Sequence, residues 1–212
     1  MVFCLLLCFI RFFKFLNFLA HLYLSPINTD VMMGNFFADG ILGNQFQHFN
    51  QDIKNGIKLH REIDTFTDSH PIVKQSKRRL HDRYRLYKGI IIDIFYDHYL
   101  AKNWTDYSAI PLDVYVDSIY NLLQKEYKTL PEKTQHMLPY MIEYNWLYNY
   151  QFKEGIQRVL NGMNNRTKNK SQMNLALEDL EIHYQKLEND FKIFFEDLQD
   201  FAKLKIHEIQ NI

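Results

Sequence analysis

Apolar residues recur every three or four positions along most of the chain, which is the spacing of helices with one buried face. The pattern predicts helices at 51–66 (QDIKNGIKLHREIDTF), at 88–101 (KGIIIDIFYDHYLA) and at 112–127, where Pro111 marks the start. No segment shows a comparable strand pattern. We therefore predict an all-α fold, a single bundle of about seven helices.

The C-terminal part of the chain carries a regular apolar stripe. Its members alternate at steps of four and three: Leu180, Tyr184, Leu187, Phe191, Phe194, Leu198 and Phe201. This heptad-like stripe predicts a long helix that packs within the bundle, with a homodimer contact as the alternative. The segments 131–139 and 161–170 are rich in Pro, Asn, Gly or Lys and are predicted loops.

Ionisable side chains continue the apolar faces of two predicted helices. One stripe holds Ile53, Ile57, His60 and Asp64, and another holds Ile90, Asp93, Asp97 and Leu100. A surface helix places its charges opposite its apolar face. Two carboxylates one turn apart, such as Asp93 and Asp97, also repel each other. These groups therefore need water, partners or a metal ion.

Composition and charge narrow the possible functions. The 212 residues suffice for one domain with a large core, and only seven Gly and five Pro favour packed helices. A formal net charge of zero argues against a general nucleic-acid binder. Both cysteines, Cys4 and Cys8, lie in the first ten residues, so the remaining chain has no thiol nucleophile and no disulfide framework.

Residues 1–15 form an apolar extension ahead of the predicted domain, 16–212. Arg11 and Lys14 interrupt this extension, and its apolar run is well short of the roughly 18 residues of a membrane-spanning helix. The basic residues follow the apolar run, whereas in a signal peptide they precede it. A surface anchor, a packed segment and an upstream start assignment are the alternatives. We expect a cytoplasmic protein with no spanning segment.

The candidate site residues are histidines and aspartates within apolar surroundings. They are His21, Asp39, His60, Asp64, Asp93, Asp97 and His98. Imidazole and carboxylate are ligands of Mn, Fe, Zn and Mg, and helical residues four apart can reach one ion. Taken singly, His21 is as well explained as a core histidine, and Asp39 as a turn residue beside Gly40.

Several reaction classes lack their motifs in this sequence. There is no Gly-rich phosphate loop and no Gly-x-Ser-x-Gly elbow. The predicted core helices contain no Glu-x-x-His pair, which argues against a ferritin-type centre with two metal ions. Metal-assisted hydrolysis fits the remaining residues best.

Five motifs occur in order between residues 16 and 188: LNFLAHLYLS, GNFFADG, GIKLHREIDTFTDSHP, GIIIDIFYDHYLAKNW and VLNGMNNR. As a set they resemble the acyl carrier protein phosphodiesterases. The resemblance implies removal of the 4′-phosphopantetheine arm from holo-acyl carrier protein, with Mn²⁺ preferred. It also implies a fold related to the helical HD-type metal phosphohydrolases.

The resemblance further implies roles for individual residues. The metal ligands it suggests are His21, Asp39, His60, Asp64, Asp93 and Asp97. The catalytic candidates are Asp64, Asp97 and His98, and His98 lies about 100° round the helix from Asp97, which suits a supporting or proton-donating role. Arg61 and Arg166 would contact phosphate, because guanidinium matches its geometry.

A basic segment at 74–88 follows the third motif and contains Arg78 and Arg79. It is either a solvated helix face or, because acyl carrier proteins are acidic, a docking surface for the substrate. The family usually begins Met-Asn-Phe-Leu-Ala-His, and Leu16 stands at the position of that Met. We therefore expect the true start at Leu16. Two alternative functions are an HD-like phosphohydrolase acting on a nucleotide or another small phosphate ester, and a helical binding protein without catalytic activity.

Overall fold

Helices make up the regular structure of the described residues. The computed structural model describes residues 17–41 and 43–210 and has no strand within them. Its α-helices are α1 (Phe18–Tyr23), α2 (Thr29–Phe37), α3 (Gln51–Ser69), α4 (Pro71–Arg79), α5 (Lys88–Lys102), α6 (Leu112–Lys125), α7 (Glu132–Glu143), α8 (Trp146–Asn149), α9 (Lys153–Arg166) and α10 (Ala176–Gln210). Short 3₁₀ helices lie at Ala38–Gly40, Gln45–His48, Asp82–Tyr87, Trp104–Asp106, Tyr127–Thr129 and Met173–Leu175. The all-α prediction is confirmed.

Helix α5 lies at the centre of the core. Eleven of its 15 residues are buried, on all sides of the helix, and it packs against α1, α4, α9 and α10. A helix that is apolar all round is buried all round. Its stripe of Ile90, Asp93, Asp97 and Leu100 is therefore one face among several buried faces.

Two glycines let α2 and α3 pack with their backbones almost in contact. A Cβ atom added to Gly34 would lie 2.2 Å from the carbonyl oxygen of Ile53, and one added to Gly56 would lie 2.1 Å from that of Val31. Only glycine fits such a close approach. The crossing brings Asn35, which follows Gly34 on α2, against His60, which lies one turn beyond Gly56 on α3.

The loop predicted at 131–139 is wrong, because this segment forms most of α7. Pro131 directly precedes the helix, where its fixed φ is tolerated. Pro139 lies inside the helix and removes the N–H that would bond the carbonyl four residues earlier. That carbonyl, of Gln135, accepts a hydrogen bond from the hydroxyl of Tyr127 at 3.3 Å instead. A side-chain hydroxyl from just before the helix thus satisfies the carbonyl that the proline leaves without its usual donor.

The loop predicted at 161–170 is partly wrong, because α9 continues to Arg166. The chain leaves the helix through Lys168 and Asn169, which have positive φ angles of 54° and 61°. The side chain of buried Asn164 holds this exit by donating to Asn169 and accepting from Ser171. Asparagine thus helps to end the helix. The end comes at Arg166, later than the predicted loop at 161–170 implied.

The C-terminal stripe packs inside the chain, as the bundle alternative predicted. Its buried members are Leu180, Leu187, Phe191, Phe194 and Leu198. They lie on α10, which packs against α3, α4 and α5. The homodimer contact suggested for this stripe therefore has no support, since the same side chains already cover the core.

Two expectations about the N-terminus lie outside the described residues. These are the apolar extension at 1–15 and the start at Leu16. Within the described ranges, no helix combines the length and the apolar character needed to cross a membrane.

Candidate metal centre

Four of the predicted ligands converge at one point between α1, α2 and α3. His21 Nε2 lies 3.4 Å from a carboxylate oxygen of Asp64, and His60 Nε2 lies 3.6 Å from the other. His60 Nε2 also lies 3.2 Å from an oxygen of Asp39. His60 and Asp64 are one turn apart on α3, as their spacing predicted. The 3₁₀ helix after α2 brings Asp39 to the cluster.

The two imidazole rings are stacked in the interior, whereas the carboxylates face outward. The rings of His21 and His60 have centroids 4.0 Å apart and an interplanar angle of 20°. Both histidines are buried, while the side chains of Asp39 and Asp64 are 11% and 18% exposed. A ligand from solvent would therefore reach the cluster from the carboxylate side.

Asn35 fixes the proton position on the ring of His21. Its side-chain amide donates to the carbonyl of His21 and to the hydroxyl of Ser25, both at 2.9 Å. These two bonds use both amide hydrogens, so Asn35 Oδ1 can only accept a hydrogen bond. That oxygen lies 2.8 Å from His21 Nδ1, which must therefore carry the proton. In the neutral ring, the lone pair is then on Nε2 and faces the cluster.

The backbone of Asn35 does the same for His60. Its carbonyl oxygen lies 2.8 Å from His60 Nδ1, and a carbonyl can only accept. Both rings therefore turn an Nε2 lone pair toward the carboxylates when neutral. Asn35 was not among the candidate site residues predicted from the sequence. The sequence feature that could have indicated it is the motif GNFFADG, in which Asn35 is a polar residue between Gly34 and three apolar residues.

The charges of the cluster act on the histidines in opposite directions. Burial lowers the pKa of His60, but the carboxylates of Asp64 and Asp39 outweigh this and raise it to about 9. Burial and the neighbouring His60 lower the pKa of His21, although Asp64 and Asp39 oppose the effect. Two stacked imidazolium rings would repel each other, so the cluster favours one positive charge shared between two carboxylates.

The residues present fit a divalent cation. His21 Nε2 is buried and has no hydrogen-bond partner within the described ranges. Ligand atoms of His21, His60 and Asp64 all lie within 4.8 Å of one another, and Asp39 adds a second carboxylate beside His60. Imidazole nitrogen and carboxylate oxygen suit Mn, Fe and Zn. A cation would also accept the lone pair of this nitrogen.

The structure does not bring Asp97 to this cluster. Asp97 is completely buried, and its two carboxylate oxygens accept hydrogen bonds from the backbone amides of Leu19 and Ala20 at 3.1 and 2.9 Å. Burial raises the pKa of Asp97 well above its usual range, although these amides favour the ionised form. Asp93, half-buried one turn earlier, lines the same small cavity as Asp97.

His98 also lies away from the cluster, on another face of α5. Its Nδ1 lies 2.8 Å from the carbonyl oxygen of Tyr150, and its Nε2 lies 2.8 Å from the hydroxyl of Tyr184. Burial lowers the pKa of His98. A neutral ring with both nitrogens hydrogen-bonded holds α5 to the end of α8 and to α10.

The four predicted substrate-binding arginines occupy three different places. Arg61, next to His60, donates to the carbonyl of Gly43 at 2.9 Å and lies over the ring of Phe46. Arg78 and Arg79 lie at the end of α4. Arg166 lies on α9 and lines a separate cavity. Of these, only Arg61 is adjacent in sequence to a member of the cluster.

Arg78 and Arg79 differ in their surroundings. Arg79 makes two hydrogen bonds with the buried carboxylate of Asp190 on α10, at 2.8 and 3.1 Å. These two charge-assisted hydrogen bonds join α4 to α10, so the guanidinium of Arg79 already has a partner within the bundle. The solvated-face interpretation therefore does not describe Arg79.

The protein is an all-α bundle with two histidines and two aspartates around one point. This combination places it in the class of helical proteins with a candidate metal centre. A model of the family described as acyl carrier protein phosphodiesterase matches residues 16–198. The chain belongs to this family of hydrolases.

Individual relatives agree with the family model. The chain is 32% identical over 189 residues to "Acyl carrier protein phosphodiesterase" of Pectobacterium atrosepticum, covering 89% of this chain and 98% of the relative. Identity to the protein of the same name from Enterobacter sp. is 33% over 191 residues, covering 90% and 99%. For Photorhabdus laumondii it is 31% over 193 residues, covering 90% and 96%. No solved structure matches the chain, and the HD-like relationship stays a prediction.

Proposed function

We propose that this protein is a metal-dependent phosphodiesterase that releases 4′-phosphopantetheine from holo-acyl carrier protein and leaves the apo form. The observation that carries the proposal is the convergence of His21, Asp39, His60 and Asp64, with both Nε2 atoms facing two carboxylates. The relatives' names support acyl carrier protein as the substrate. A cytoplasmic location would agree with such a substrate.

The four clustered side chains would hold the cation, which we propose to be Mn²⁺. A bound divalent cation supplies a Lewis acid for the phosphoryl group. The protein's own contribution is to keep the two nitrogen lone pairs turned toward the carboxylates, through the hydrogen bonds of Asn35 to both rings. Arg61, half-buried next to His60, is the proposed phosphate contact, because guanidinium can donate several parallel hydrogen bonds.

We propose positioning roles for the charged residues of α5. Asp97 holds the first turn of α1 through two backbone amides, and that turn leads directly to His21. His98 holds the far side of α5. Asp93 lies beside Asp97 and adds negative charge there. These residues would fix the frame on which the cluster is built.

The proposal predicts conversion of holo-acyl carrier protein to the apo form by the purified protein with Mn²⁺. EDTA should stop the reaction, and added Mn²⁺ should restore it. A mobility-shift gel of the carrier protein and mass spectrometry of the released arm give the readout. Release of phosphate from nucleotides with no action on the carrier protein would favour the alternative HD-like phosphohydrolase. Absence of both activities and of bound transition metal would favour a binding protein.

A second prediction concerns docking of the acidic carrier protein. Arg78 is exposed on α4, and no described carboxylate forms an ion pair with it. Replacing Arg78 with Glu should raise KM for the carrier protein severalfold and reduce its dependence on salt, with kcat unchanged, because steering acts on the encounter. Lys125→Glu on α6, which also reverses an exposed charge, is the matched control. Equal kinetics for both variants would exclude docking at Arg78.

A further inference from the structure

A cavity of about 270 Å³ lies between α8 and α9, away from the metal centre. Its lining includes the aromatic residues Tyr144, Trp146 and Tyr150 and the α9 residues Arg158, Gly162 and Arg166. Tyr150 accepts a hydrogen bond from His98, whereas Asp97 holds α1, which carries His21. Consecutive residues point about 100° apart on a helix, so the cavity and α1, which carries His21, lie against different faces of α5.

Three lining residues follow one another at helical spacing along α9. Arg158, Gly162 and Arg166 are each four residues apart and therefore share one face. The glycine leaves the surface between the two arginines open. A Cβ atom added at Gly162 would meet no other atom within 4 Å. The face thus presents two long cationic side chains on either side of bare backbone.

Neither arginine has a carboxylate partner in the described part of the chain. Arg166 directs Nη1 to the sulfur of Met163 at 3.7 Å, and no ion pair between described residues involves Arg158 or Arg166. Arg79 shows the contrasting case, because Asp190 binds it with two hydrogen bonds. Arg158 and Arg166 are exposed at the mouth of the cavity, and burial around the guanidinium lowers the pKa of Arg166 with no carboxylate beside it to oppose the effect. An anion in the cavity would supply a counter-charge.

The aromatic part of the cavity adds a second requirement. Tyr150 is buried, and its hydroxyl has no hydrogen-bond partner among the described residues. Trp146 is half-buried and Tyr144 is exposed, so both offer apolar surface at the cavity. A ligand that satisfies all these groups needs an anionic end and an apolar or flat body.

We propose that this cavity binds a small organic phosphate, with its phosphate between Arg158 and Arg166 over Gly162 and its apolar body against Trp146. A phosphate monoester carries a charge of about −1.5 to −2 at neutral pH, which matches two guanidinium groups better than a single carboxylate does. The site is independent of the proposed phosphodiesterase reaction.

Isothermal titration calorimetry of the full chain with phenyl phosphate tests the proposal, because this probe joins a phosphate to a flat apolar ring. We expect saturable binding to one site, with a lower affinity for inorganic phosphate and for phenol. Arg158→Met and Arg166→Met should each weaken binding by about tenfold. Equal affinity for inorganic phosphate and phenyl phosphate, or no saturable binding, would overturn the proposal.

Gly162→Leu gives the sharper variant, because the new side chain would enter the open space of the cavity. Binding of phenyl phosphate should be lost, while the midpoint of thermal unfolding should not fall, since Leu favours helix more than Gly does. Asn165→Leu, exposed on the same helix and outside the cavity, is the matched control and should bind normally. Asp64→Asn should also bind normally. Undiminished binding to Gly162→Leu, or loss of binding in Asp64→Asn, would show that the probe binds elsewhere.

Discussion

Replacing Asp64 with Asn should lower kcat for release of 4′-phosphopantetheine by about a thousandfold or more, because the lost interaction stabilises the transition state by several kcal/mol. Asp64 is the only member of the cluster within 4 Å of both histidine Nε2 atoms. An amide keeps the shape of the carboxylate but removes its charge, so the protein should stay folded. The carrier-protein gel shift under single-turnover conditions is the measurement.

Metal binding separates this role from a general loss of structure. In wild-type protein, Mn²⁺ at about 100 times its Kd should raise the free energy of unfolding by about 2.7 kcal/mol. Asp64→Asn should lose this increase and keep the unfolding midpoint measured without metal. Glu62→Gln, exposed on the same helix, is the control and should behave as wild type. If Asp64→Asn kept the Mn²⁺ stabilisation, Asp64 would not be a metal ligand.

Helical spacing predicted the part of the cluster that lies on one helix. His60 and Asp64 are four residues apart, and a 3.6-residue repeat is enough to place both on the buried side of α3. Spacing alone could not show that His21 and Asp39 join them. That depends on contacts between elements, which are the close crossing of α2 and α3 at Gly34 and Gly56 and the hydrogen bonds of Asn35 to His21 on α1.

The same limit explains the placement of the α5 residues. The stripe of Asp93 and Asp97 predicted correctly that Asp97 faces inward, but the direction of a side chain does not identify what lies opposite. The opposing groups are the backbone amides of Leu19 and Ala20, which no side-chain pattern reveals. Because α5 is buried on all sides, His98 also forms its hydrogen bonds inside the core, although it lies on a different face from Asp97.

Asn35 shows a third kind of information that the sequence lacks. Its effect on the histidines depends on four hydrogen-bond partners: the ring and carbonyl of His21, the hydroxyl of Ser25 and the ring of His60. The type of residue gives little indication, since asparagine is common in loops and caps. The direction of each donor and acceptor identifies the role, and that direction requires coordinates.

Replacing Asp97 with Ala should destabilise the protein by about 3–5 kcal/mol, a large part of the total stability of a domain. The substitution leaves the amide donors of buried Leu19 and half-buried Ala20 without their acceptor, and an unsatisfied buried group costs about 1–3 kcal/mol. Asp97→Asn should cost less, because its oxygen still accepts one of the two bonds. Urea unfolding measures both variants, and Asp117→Ala, exposed on α6, should change stability by no more than about 0.5 kcal/mol.

The Asn variant decides between a structural carboxylate and a metal ligand at this position. If Asp97 holds α1 and does not touch the cation, Asp97→Asn should lose stability with and without metal. It should still show the full additional stabilisation by Mn²⁺. A metal ligand would give the reverse, with unchanged stability of the metal-free protein and loss of the Mn²⁺ effect. That second result would mean that α5 moves toward the cluster when the cation binds, and Asp97 would return to the set of ligands.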